Sequence, residues 1–107
     1  MIHTNLAKGR WFEMTLSQQL GNIGSEVGRA AKWQERGGDI FWGTVGRALD
    51  LFDLTLSDKR WKKRTSELGR AKEVFADAVL GGYEYKSNLK DLEKYFMRFA
   101  LFANRLL

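Results

Sequence analysis

Between positions 59 and 64 the chain reads Lys-Arg-Trp-Lys-Lys-Arg, five cations around one indole with no acid among them. Ammonium and guanidinium groups at this density neutralise phosphates, and an aromatic ring among them offers a flat surface to a base. Lys59, Arg60, Lys62, Lys63 and Arg64 are therefore the candidate nucleic-acid or anion-binding residues, with Trp61 as the stacking ring. The same stretch also suits a solvated basic surface anchored from within, because Trp61 falls on the apolar arc of the helix expected there. A basic first turn opposes the helix dipole, so the cluster carries a local cost.

A second constellation is polar and lies at the edge of an apolar helix: Arg47, with Asp50 one turn on and Asp53 beyond it. As a site, these three would hold a small ligand or do acid–base work inside a bundle. As structure, they would form an Arg–Asp pair, costly to break but a weak source of net stability. A tetrapeptide recurs as Val27-Gly28-Arg29-Ala30, Val45-Gly46-Arg47-Ala48 and Leu68-Gly69-Arg70-Ala71. Packing accounts for it if each Gly lies beneath a crossing helix and each Arg at the rim. A cluster of Arg29, Arg47 and Arg70 around an anion, or duplication of a helical hairpin, are the other readings. Glu26, Glu67, Glu73 and Asp77 stand at spacings that suit rim ion pairs, and Lys72 is placed to reach an acid across a helix interface.

Other chemistry has no residues to carry it. The chain has no cysteine, which removes disulfides, thiolate metal sites and cysteine nucleophiles. Its one histidine, His3, lies outside the expected helices, so neither a catalytic triad nor a Glu-x-x-His di-iron arrangement can be assembled. Gly37-Gly38-Asp39 lacks the surroundings of a phosphate loop and reads as a helix stop followed by an N-cap. No catalytic, cofactor-binding or metal-ligating residue is assigned, and no cofactor is expected.

These side chains need a scaffold, and 107 residues suffice for one core. Eighteen Lys and Arg against thirteen Asp and Glu leave a net charge of +5, all of it attributable to the basic hexapeptide. No proline interrupts any segment. Residues 1–14 read as a lead-in from which Trp11 and Phe12 dock on the domain formed by residues 15–107. Helix one is expected from Leu16 to about Arg36, with Thr15 and Gln18 as a capping box. Leu16, Leu20, Ile23, Val27 and Ala30 form its core stripe. Beside it runs a smooth seam of Ser17, Gly21, Gly24, Gly28 and Ala31, whose glycines cost about 1 kcal/mol each and call for a closely approaching backbone. Helix two is expected after an Asp39 cap and through Leu56, helix three over Asp58–Leu80, and helix four from Ser87 onward. In helix four, Leu89, Leu92, Phe96, Phe99, Ala103 and Leu106 step 3, 4, 3, 4, 3. No period-2 alternation marks a strand. The expected fold is all-α, an antiparallel up-down-up-down four-helix bundle.

Asn22-Ile23-Gly24-Ser25-Glu26-Val27-Gly28-Arg29-Ala30, followed by Arg47-Ala48-Leu49-Asp50-Leu51-Phe52-Asp53, resembles small uncharacterised prokaryotic helical proteins that look broadly HEPN-like. The resemblance spans helices one to four. It implies a four-helix bundle that pairs with itself, since HEPN domains often dimerise and many partner nucleotidyltransferases or act as RNases. The RNase signature is an Arg followed four to six residues later by His. No His follows position 3, so that activity is not implied and no catalytic residue is carried over.

Fourteen aromatics, with Trp33, Trp42, Tyr83, Tyr85 and Phe102 off the main stripes, independently favour a homodimer or a protein partner. There is no apolar run of signal-peptide or bilayer-spanning length, so the expected location is the cytoplasm, without membrane contact. The functional expectation is a non-catalytic interaction or regulatory module; the alternative is a nucleic-acid-binding bundle that uses residues 59–64.

Overall fold

The computed structural model describes residues 9–105, with side chains through position 101. His3, Leu106 and the side chains of Phe102 and Ala103 lie outside the described residues. Helices account for the architecture, and no strand occurs among the described residues. A helical stretch closes at Trp11. It is followed by α1 (Leu16–Trp33), α2 (Gly38–Ser57), a short 3-10 segment (Lys59–Arg64), α3 (Thr65–Val79) and α4 (Leu89–Arg105).

Local chemistry sets these boundaries. Thr15 starts α1 through a reciprocal capping box: Gln18 N donates to Thr15 Oγ1 at 3.1 Å, and Thr15 N donates to Gln18 Oε1 at 2.9 Å. Helix α1 stops at Trp33, three residues short of the expected Arg36, where Gly37 N turns back to donate to Trp33 O at 3.0 Å. Gly37 and Gly38 take φ of +63° and +75°, a region that residues with a Cβ rarely enter. That turn, not an Asp39 cap, launches α2, and Asp39 lies inside the first turn. Asn88 Oδ1 accepts from Asp91 N at 2.9 Å at the start of α4.

Helix three departs most from expectation. Asp58 does not open an α-helix. It accepts from Arg60 N and caps a 3-10 segment in which Trp61, at φ −106°, leaves the helical region. The α-helix starts only at Thr65. Three cations in a first turn, with two more directly after, would oppose the helix dipole, and the tighter, shorter 3-10 winding avoids building that dipole beneath them.

The core joins all four helices. Ile23, Val27, Phe52, Phe75, Leu89 and Phe96 are fully or almost fully buried. The Phe52 ring lies 5.7 Å from Phe75 and 5.8 Å from Phe96, tying α2 to α3 and α4. Trp11 docks into this core as expected, whereas Phe12 stays exposed, because adjacent residues on a turn face different ways. Ile40, in the first turn of α2, is also exposed.

The glycine seam meets a backbone. A Cβ added at Gly21 would lie 3.1 Å from Ala100 Cα, and one at Gly24 would lie 2.5 Å from Phe96 Cβ. At Gly28 the added carbon would collide with the Glu93 carboxylate. Glu93, Phe96 and Ala100 thus ride along Gly28, Gly24 and Gly21, and the α1–α4 contact is the most extensive in the molecule. The other two tetrapeptide glycines, Gly46 and Gly69, face open space, so a crossing helix explains only the first copy.

Candidate nucleic-acid interface

The basic loop is held from behind by a buried polar hub. Gln19, one turn into α1, is fully buried on the stripe that also carries Leu16, Leu20 and Ile23. Its Nε2 donates to Trp11 O at 2.9 Å and to Asp58 Oδ2 at 3.0 Å, while its Oε1 accepts from Trp61 Nε1 at 2.9 Å. Two acceptors on one side and an indole N–H on the other fix which way the amide points. Trp11 Nε1 donates to the buried Thr55 Oγ1 at 3.1 Å, which connects the lead-in to α2. Every buried side-chain group in the hub has a partner, as a low-dielectric interior demands.

Asp58 is the charged member. Its buried carboxylate accepts from Arg60 Nε at 3.0 Å and from the Arg60 terminal nitrogen at 2.7 Å, a forked pair. The hydrogen bonds from Arg60 hold its pKa down at about 2, outweighing the upward push of burial, with Gln19 assisting. The same arginine donates to Met14 O at 2.7 Å and lies 4.4 Å above the Trp61 ring.

The five candidate cations therefore divide. Arg60 is a clasp, its guanidinium committed to Asp58, Met14 and Trp61. Lys59, Lys62, Lys63 and Arg64 are exposed and make no ion pair among the described residues. Trp61 is half-buried, with its N–H and one face already occupied, so it is the inward anchor rather than the stacking ring. Beside the loop, an open groove of about 520 Å³ runs between Thr15, Leu16 and Ser17 of the α1 start, the loop residues Lys63 and Arg64, and Phe99 of α4.

The second constellation does not assemble. Arg47 Nε pairs with Glu26 of α1 at 3.2 Å, and its terminal nitrogen donates to Thr44 Oγ1 at 3.1 Å. Asp53 pairs instead with Lys72 of α3, the acid that Lys72 was placed to reach. Asp50 lies between them, half-buried, without an ion pair among the described residues. The reason is helical phase: six residues along an α-helix rotate by about 120°, so Arg47 and Asp53 face different neighbours. The expected Arg–Asp pair is thus replaced by Arg47–Glu26. Arg29 shares Glu26 at 3.2 Å, whereas Arg70 stands apart with Glu73 and over the Tyr85 ring, so the three tetrapeptide arginines do not converge.

Asp77 does more than line a rim: its carboxylate accepts from the backbone N–H groups of Glu84 and Tyr85 and shapes the Tyr83–Tyr85 loop. The Tyr85 hydroxyl donates to Glu73 at 2.9 Å, which raises its pKa, and Tyr83 is exposed. Among the described residues no three His, Asp or Glu side chains gather as a metal site. No described helix is long and apolar enough to cross a membrane.

Gln19 and Asp58 were the hub residues least visible in the sequence. One signal existed for Gln19, a polar side chain in phase with an apolar stripe. Compared with family models, curated proteins and solved structures, the chain matches none.

Proposed function

We propose that this chain is a non-catalytic helical binding module, an antiparallel up-down-up-down four-helix bundle of HEPN-like kind, whose basic loop binds nucleic acid through its phosphates. The observation that carries this reading is the combination of four exposed cations, unpaired among the described residues, with a loop pinned by a fully satisfied buried hub. A solvated surface has no need of such an anchor, whereas a binding loop gains from it, because little ordering entropy remains to be lost on contact. Lys59, Lys62, Lys63 and Arg64 are the phosphate ligands, and Arg60 positions them. The extensive α1–α4 and α1–α2 packing supports the bundle topology.

Four phosphate contacts imply weak, salt-sensitive binding, with log K falling against log salt at a slope of roughly −3. Changing Lys62, Lys63 and Arg64 to Gln removes three of those contacts and should sharply weaken retention of RNA or DNA at low salt. Unchanged retention overturns the proposal. The cytoplasm, where nucleic acid is met and cysteine-free chains are at home, is the proposed place of work.

Self-association is proposed alongside it. Ile40 and Trp42 at the start of α2, and Leu80 and Tyr83 beyond α3, are large apolar groups left exposed. Gln34 Nε2, bonded to Ala78 O at 3.0 Å, draws those two ends of the molecule together. A homodimer that covers them predicts twice the chain mass in solution, measured by light scattering; a monomeric mass contradicts it.

A further inference from the structure

We infer that the groove beside the basic loop is a single-strand site, taking an unpaired base against Phe99 while Lys63 and Arg64 hold the adjoining phosphate. This rests on the nucleic-acid reading above and adds the form of nucleic acid. Exposed cations alone would touch the phosphates of a duplex and of a single strand alike. The groove is what distinguishes them. Its size of about 520 Å³ falls in the range of small-molecule sites, and Leu16, Trp61 and Phe99 give its lining apolar surface. Only a base freed from pairing can place a flat face there.

The chemistry of the rim complements a nucleotide. Lys63 and Arg64 supply positive charge to the groove lining. Thr15 and Ser17 add hydroxyls to the same lining; Thr15 Oγ1 accepts from Gln18 N and keeps its own proton to donate. The first N–H groups of α1 add partial positive charge at the same end. Trp61 is not the platform, since Arg60 covers one face of its ring and Gln19 fixes its N–H. Phe99 is half-buried, packs edge-on against Tyr95 at 5.6 Å, and leaves ring surface on the groove wall.

The test measures fluorescence polarisation of labelled twelve-nucleotide oligo-uridine and oligo-deoxythymidine, and of a duplex of equal length, at one low salt concentration. The wild-type chain should bind both single strands tighter than the duplex. Phe99→Ala should weaken single-strand binding by roughly five- to a hundredfold and leave duplex binding unchanged. Ser17→Glu, an acid that a helix start tolerates well, should weaken single-strand binding selectively by filling the rim with negative charge. It also keeps the test decisive if Phe99→Ala melts early by circular dichroism. Equal affinity for strand and duplex, or single-strand binding that survives Ser17→Glu, overturns the groove assignment and leaves the phosphate reading standing. Failure of the wild-type chain to bind any of the three overturns both.

Discussion

Asp58 concentrates the residue-scale argument. Its folded pKa of about 2 lies below the ordinary 3.8, so the carboxylate's contribution to stability is fully present above about pH 4. It is lost as pH falls from there towards 2, because the unfolded chain takes up the proton first. The gap corresponds to about 2 kcal/mol. Asp58→Asn should therefore lower stability by about that amount at pH 7 and flatten the acid limb of a stability–pH curve, measured by urea unfolding between pH 2 and 7. An acid limb as steep as that of the wild-type chain contradicts the role assigned to Asp58. The basic hexapeptide was legible as a cluster because charge is a property of the residues themselves. The division of labour within it was not. Whether Arg60 is a ligand or a clasp depends on a carboxylate two residues back, and that carboxylate is fixed by a glutamine 39 positions away.

At the scale of elements, the seam on α1 makes the sharpest claims. The Cβ position at Gly24 is already 2.5 Å from Phe96 Cβ, so Gly24→Leu should cost about 1–3 kcal/mol by thermal or chemical unfolding, from overpacking. Gly46→Ala meets nothing within 4 Å and should instead stabilise α2 by up to about 1 kcal/mol, through helix propensity. If the two substitutions behave alike, the close approach of α1 and α4 is wrong. Phe96→Ala removes the ring that α1, α2 and α4 share and should cost about 3–5 kcal/mol by the same measurement. Helices one, two and four were readable as elements because their apolar periods run unbroken over most of their length, though not to their exact ends. The start of helix three was not, since Trp61 kept the apolar phase while its backbone left the helical region. The repeated Gly-Arg-Ala motif misled for a related reason: its three copies do not share a neighbour, and only the neighbour decides what a glycine is for.

At the scale of the whole molecule, charge and packing are separated in space. Outside residues 59–64 the formal charges balance, with thirteen of each sign. All four described pairs in that balanced remainder bridge α1 to α2 or α2 to α3, or lie within one helix. The excess stands on one rigid loop beside one groove. The most direct test is therefore the salt dependence of oligonucleotide binding for the wild-type chain and for the variant with Lys62, Lys63 and Arg64 changed to Gln. The expected result is a log–log slope near −3 for the wild type, shallower by about 2 in the variant, with both chains equally folded. Identical slopes, or no wild-type binding at low salt, would contradict it.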